Sequence, residues 1–291
     1  MNEETPKLRM APRSTNDELL HRIEKEQRAV GLQREMSLEK SLAPFRVGSV
    51  PYLNAVPLTR GIEDEIVFLP PSQLGQLLSK GELDAALLSV TEVLFSQDYD
   101  ILDSVAIASL GEVYSVIMAH TVPLEQIKVV HCDPASLTSV NLLRVLLAER
   151  GLNPEFKALA GSPHDCEAVL LIGNPAIDFQ RSTHKHEVWD LGAAWSELTR
   201  LPFVYAVWAL RRDKDTEPLR RQLREAKDFG LDTLDYLIEN RSEYDREFRK
   251  DYLGWHIHYH LGADEKRGIL EFIRLLRKHS GREVYDPRYV P

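Results

Sequence analysis

The chain has little cysteine, no long apolar run and no excess of basic charge. Cys132 and Cys166 are its two thiols in 291 residues, too few for a disulfide framework. The longest apolar stretches, Ala168 to Ile177 and Leu201 to Leu210, are about half the ~20 residues of a membrane span, and each contains a proline. Lys and Arg number 36 against 45 Asp and Glu, a formal charge of −9, which excludes holding nucleic acid or an anionic membrane by bulk charge. Any anionic ligand has to be bound by local geometry. The start, MNEETPKLRM, has no apolar core that a secretion signal could use, so the expected location is the cytoplasm. Glycine and proline are ordinary at 15 and 16, and 43% of residues are hydrophobic, which describes a globular chain with a real core. There is no G-x-G-x-x-G, G-x-x-x-x-G-K-[ST], G-x-S-x-G or C-x-x-C, so the common dinucleotide, nucleotide, serine-hydrolase and zinc signatures are missing. Those readings therefore have no support.

What is present is a regular alternation. From Arg46 on, short β-branched runs (RVGSV, EIVFLP, LDAALLSV, DILDSVAIASL) are interleaved with a helical pattern that starts at Ser72 and closes at Gly81. A second set follows from Val113: VYSVIMAH, IKVVHC, a helix from Thr138 to Arg150, EAVLLIG, HEVWDL and LPFVYAVWAL. This rhythm predicts an α/β fold with mostly parallel sheets. From Thr216 the chain is charged and helical, with apolar residues three and four apart. The reading is two lobes with a cleft between them, residues 46–114 with 207–291 forming lobe 1 and residues 115–206 lobe 2. Residues 1–45 carry eight basic and eight acidic residues and no aromatic before Phe45. They read as an N-terminal extension, either a capped helix from Thr15 or a frayed tail.

Polar residues recur where strands end. The loop Gly48 to Pro57 carries Ser49, Tyr52 and Asn54 at the carboxyl end of a parallel strand, where open α/β sheets bind ligands. The Asn54 amide can donate and accept together, which suits a substrate with both hydroxyl and carboxylate; the alternative is a turn-forming Asn between two prolines. Ser89 and Thr91 end another strand, and Glu92 beside them is a candidate general base or a first-turn residue facing the helix dipole. Ser115 lies where the chain enters the second lobe, as a cleft hydroxyl or a buried Ser bonded to backbone. Ser136, Thr138 and Ser139 crowd one helix start, a place suited to an anion, where capping alone needs one hydroxyl. His256, His258 and His260 in WHIHYH are a weak metal candidate, since a helix would bring His256 and His260 alone to one face. Trp189, Trp195, Phe203 and Trp208 read as core and lobe-interface packing.

Five motifs, RVGSVPYLNAVPL (46–58), GELDAALLSVTEVL (81–94), SLTSVNLLRVLL (136–147), VLLIGNPAI (169–177) and DLGAAWSELTRLPFVYAVWALRRD (190–213), taken together and in this order resemble the chorismate dehydratase family of the futalosine route to menaquinone. The resemblance covers most of residues 46–280. It implies a two-lobed fold like that of type 2 periplasmic binding proteins, with the active site in the interlobe cleft and helices at the C-terminus. It also implies a reaction without cofactor: chorismate loses water to give 3-[(1-carboxyvinyl)oxy]benzoate. The family's active-site Asn falls on Asn54 and its Ser on Ser115, while the hydroxyl-rich helix start falls on Ser136, Thr138 and Ser139. Ser49, Tyr52, Ser89, Thr91 and Asn174 are expected substrate contacts, and the base is Glu92 or a carboxylate of the substrate. Leu137 and Asn174 depart from the family, which often has Arg and Asp there. Their joint absence fits the loss of an ion pair, because one unpaired buried charge is costly; an altered substrate is the other reading.

Two alternatives remain at this point. One is the related 1,4-dihydroxy-6-naphthoate synthase type of lyase, which SVPYLNAVPL and DLGAAW disfavour. The other is a non-catalytic cytosolic binding protein for an anionic metabolite. The expected partner is the small-molecule substrate, and a homodimer is compatible with the sequence.

Overall fold

The structure, a computed structural model, describes residues 45–132 and 137–291. The expectations for residues 1–44, and that for Ser136, lie outside the described residues. Eleven strands form two sheets among the described residues. In chain order they are β1 (Val47–Ser49), β2 (Ile66–Phe68), β3 (Ala85–Ser89), β4 (Tyr99–Ser109), β5 (Val116–His120), β6 (Val129–Cys132), β7 (Glu155–Ala158), β8 (Ala168–Ile172), β9 (Glu187–Asp190), β10 (Phe203–Arg211) and β11 (Tyr289–Val290). The first sheet has the order β11-β4-β10-β3-β1-β2 and the second β7-β6-β8-β5-β9.

Both sheets are mixed, which differs from the mostly parallel sheets that the βαβ rhythm predicts. β1 runs parallel to β2 and β3, and β6 parallel to β7 and β8. β10 is antiparallel to both β3 and β4, and β5 is antiparallel to both β8 and β9. β5 enters the second sheet and β10 returns to the first, and each inserts between two strands that run the other way. The central strands β3 and β5 are apolar up to their last residues, Ser89 and His120, because both faces are covered. Val116 to His120 is buried at every position, as is Ala85 to Leu88.

Helices pack on the faces. The helix Glu217–Asp232 lies against Val56–Thr59 and β4, and Ala263–His279 lies against β10 and the helix Leu137–Glu149 of the second sheet. Ala263–His279 shows why such charged helices form. Asp264 and Glu265 stand in its first turn and Arg277, Lys278 and His279 in its last, so the charges oppose the helix dipole. The Glu265 side chain also accepts the Gly262 N–H at 2.8 Å. Its inner face buries Ile269, Phe272, Ile273 and Leu276. Trp195, Trp208 and Phe203 are fully buried in the core, as expected, while Trp189 is half-buried under Arg150, 4.7 Å from its ring.

Candidate active site

A cleft lies between the sheets. Its walls come from the loop after β1, from β3, β4 and β10, and from the start of β5, the helix Leu137–Glu149 and the end of β8. Leu87, Ile107, Val116 and Ile172 supply apolar wall, and Tyr52, Asn54, Ser89, Ser115, Thr138, Ser139 and Tyr205 supply polar groups. No charged side chain lines it among the described residues.

The local structure explains how these side chains arrive. After β1 the chain makes one 3-10 turn, Leu53–Ala55, that buries Leu53 and Ala55 and leaves Asn54 between them to face the cleft. Ser115 precedes β5, and its carbonyl accepts the Gly173 N–H at 2.8 Å. Gly173 has φ of +60°, a left-handed conformation that glycine adopts without strain, and the Tyr52 ring lies against it. Ser89 caps the helix Val90–Leu94 by accepting the Glu92 N–H at 3.4 Å. Thr138 Oγ1 accepts the Thr91 N–H at 3.0 Å, a bond from the helix Val90–Leu94 to the helix Leu137–Glu149.

Five buried side-chain oxygens in or beside this cleft have no partner: Ser49 Oγ, Asn54 Oδ1, Thr91 Oγ1, Ser115 Oγ and Asn174 Oδ1. An unsatisfied buried polar group costs about 1–3 kcal/mol, so such a concentration marks a place where a ligand completes the hydrogen bonding. One buried phenol lines it and a second lies behind Ser115 and Asn54. Tyr205 lines the cleft, and its hydroxyl pairs with Ser109 Oγ at 3.0 Å. Burial pushes its ionisation well above the usual tyrosine value, which keeps it a neutral hydrogen-bonding group. Tyr252 is also fully buried and raised by burial. Its hydroxyl approaches Ser115 and Asn54, but too loosely to satisfy Ser115 Oγ or Asn54 Oδ1.

A menaquinone biosynthesis family matches residues 45–278 of this chain. A chorismate dehydratase of Thermus thermophilus is 33% identical over 261 residues, covering 81% of this chain and 96% of that one. The chain belongs to the menaquinone biosynthesis family. Solved structures agree on the fold of this family member. A crystallised protein of Archaeoglobus fulgidus aligns with a TM-score of 0.63 at 18% identity, over 80% of this chain and 97% of that one. The periplasmic aliphatic sulphonate binding protein SsuA of Escherichia coli aligns at 0.56 and 14% identity, over 85% and 93%. The fold is that of the periplasmic binding proteins, as the motifs imply.

Not every expected residue of this menaquinone-family protein reaches the cleft. Ser49, Thr91 and Asn174 are buried or half-buried beside it without lining it. Leu137 and Asn174 each adjoin a lining residue, Thr138 and Gly173. Glu92 points elsewhere. It stands in the first turn of the short helix capped by Ser89, which turns its carboxylate against Gly75, 2.5 Å from where a Cβ would stand. Burial raises its carboxyl and Arg282 opposes the rise. The three histidines of WHIHYH are not on a helix face either. The π-helical turn Tyr252–His256 ends there, the chain becomes extended, and His258 pairs with Ala108 in an isolated bridge. No cluster of three metal-ligating side chains exists among the described residues.

Tyr205, Tyr252 and Gly173 escaped the sequence reading. Tyr205 sits in an apolar run that reads as a buried strand. Tyr252 sits in a C-terminal helical stretch with no polar signature, and a π-turn is a local feature often found at functional sites. No helix of the described residues is long and apolar enough to cross a membrane.

Proposed function

We propose that this protein is a chorismate dehydratase that forms 3-[(1-carboxyvinyl)oxy]benzoate and water in the futalosine route, in the cytoplasm. The observation that carries this reading is the pair of unpartnered oxygens, Asn54 Oδ1 and Ser115 Oγ, in a cleft without charged lining side chains, within a family of menaquinone biosynthesis. The reaction suits such a site. The C–H bond at the ether-bearing ring carbon breaks, its electron pair closes the aromatic ring, and the neighbouring C–O bond breaks to release hydroxide, which takes up the proton as water. Aromatisation drives the step and no net oxidation occurs, so the protein's task is to orient and to exclude water.

In this reading Asn54 and Ser115 hydrogen-bond the ring hydroxyl and hold it for departure. Thr138 and Ser139, at the N-terminal end of the helix Leu137–Glu149, face a carboxylate, with the helix dipole favouring its charge. Tyr205 and Tyr252 supply neutral phenols at the floor. Glu92 is turned away, so the ring proton passes first to a carboxylate of the substrate itself, which hands it to the departing hydroxyl to give water. The division into lobes, 46–114 with 207–291 and 115–206, belongs to the same reading.

The test is purified protein with chorismate and no added metal or cofactor, with products followed by mass and proton NMR. Catalytic appearance of a product one water lighter, lost in Asn54→Ala and Ser115→Ala, is expected. Saturable binding without turnover replaces the reading with that of a binding protein.

A further inference from the structure

Ser115 enters the cleft from an unusual turn. Tyr114 has φ of +64°, and Ser115 N donates to Val113 O at 2.8 Å. This is a three-residue turn with a positive φ at its centre, a rare and strained geometry for a residue with a Cβ. Strain of this kind persists where its surroundings over-determine it. Here the surroundings converge on one carboxylate, 76 positions along the chain. Asp190 Oδ2 accepts the Tyr114 N–H at 2.7 Å and the Val113 N–H at 3.2 Å. Oδ1 accepts the Val113 N–H at 3.1 Å and the Ala193 N–H at 2.9 Å. Gln180 Nε2 donates to Tyr114 O at 2.5 Å, and the Tyr114 ring meets Phe248 edge-on at 5.2 Å. The Ala193 bond caps the helix Leu191–Thr199, but capping needs none of the bonds to Val113 and Tyr114.

We propose that Asp190 is a positioning residue: its carboxylate holds the Val113–Tyr114 turn closed and so aims Ser115 Oγ into the cleft. The functional half of this rests on the reading of Ser115 given above. The arrangement is sensitive to protonation. Burial holds the Asp190 carboxyl above the ordinary 3.8 despite three N–H donors, and the Glu112 carboxylate adds to the rise. The Tyr205 phenol also faces it. A proton on Asp190 turns an acceptor into a donor and removes one of the bonds that hold the turn.

The experiment compares the full-length protein with Asp190→Asn. Asparagine caps a helix as well as aspartate, but it has one acceptor oxygen where the site uses two. Expected are a Tyr114 amide that exchanges about tenfold faster, a displaced Ser115 signal in NMR spectra, and a kcat on chorismate about 10–100-fold lower with KM within about threefold. Wild-type protection of the Tyr114 amide, or a lost bond that leaves the Ser115 signal and kcat unchanged, overturns the proposal. A second measurement needs no variant. In the unmodified protein the Val113 and Tyr114 amide shifts and log kcat should titrate together above the ordinary carboxylate value; amide shifts that stay flat through that range overturn it. If the wild type does not turn over chorismate, the dehydratase reading fails, while the amide and Ser115 signals still decide the role of Asp190.

Discussion

The segment from β4 to β5 and the segment from the helix Leu191–Thr199 to β10 both carry the chain between the two sheets, but polar groups hold one and aromatic packing holds the other. In the first, Asp190 and Gln180 grip the main chain around Tyr114, and His256 Nδ1 meets Glu112 O at 3.1 Å. In the second, Trp195 Nε1 donates to Pro202 O at 3.1 Å. The Trp195 ring meets Phe203 at 5.1 Å, and Phe203 meets Phe272 at 4.9 Å. Directional bonds can hold one strained geometry, which is what an active-site side chain requires. Apolar burial is non-directional; it supplies stability and leaves fine aim undefined. The strained crossing therefore delivers Ser115, and the packed crossing closes the core.

The strongest challenge to this contrast is Trp195→Ala. Trp195 is 0% exposed, and its truncation should cost about 3–5 kcal/mol in urea unfolding, with kcat of the folded fraction kept. A loss below about 1 kcal/mol would break the contrast between the crossings. Ser115→Ala is its mirror image. Its Oγ has no partner to lose, so the melting temperature should hold or rise slightly, while kcat falls about 10²-fold. A variant as active as the wild type would remove the polar crossing's claim to a purpose.

Gly268→Ala sharpens the packed side. A Cβ there would stand 2.1 Å from Pro202 O, a main-chain atom that cannot swing aside. The expected cost is about 1–3 kcal/mol from overpacking, read as a lower urea midpoint. The smallest effect belongs to Glu149, where the helix Leu137–Glu149 meets Lys278 Nζ at 2.8 Å and His279 Nε2 at 2.5 Å. Those two hydrogen bonds hold its carboxyl below the ordinary 4.5. The stability it contributes is present above 4.5 and is lost as pH falls through the lower folded value. Glu149→Gln should remove about 0.5–1 kcal/mol at neutral pH and flatten that part of the acid unfolding curve. An unchanged curve would mean that these contacts join the helices Leu137–Glu149 and Ala263–His279 without stabilising them.

Local signals were legible in the chain. Period-two and continuous β-branched runs mark β1 to β5, and Gly81 and Gly151 mark helix ends, because periodicity records which faces an element buries. The polar loop around Asn54 and the hydroxyls at Thr138 and Ser139 stand out because strand ends and helix starts have no structural need for so many polar groups. β7 and β11 were not legible, being short, with one largely exposed and the other two residues long.

The amino-acid order by itself determined the α/β character, the cleft-facing loop after β1, the family motifs and the absence of bulk positive charge. Tertiary structure alone decided that Glu92 turns to Gly75, that β5 and β10 run against their neighbours, and that Tyr252 meets Asn54 and Ser115. It alone also decided that Asp190 reaches Val113, 77 positions away. The physical reason is one of range: an apolar period is a property of consecutive residues, whereas a hydrogen bond between distant groups exists only once the burial of those faces has brought them together.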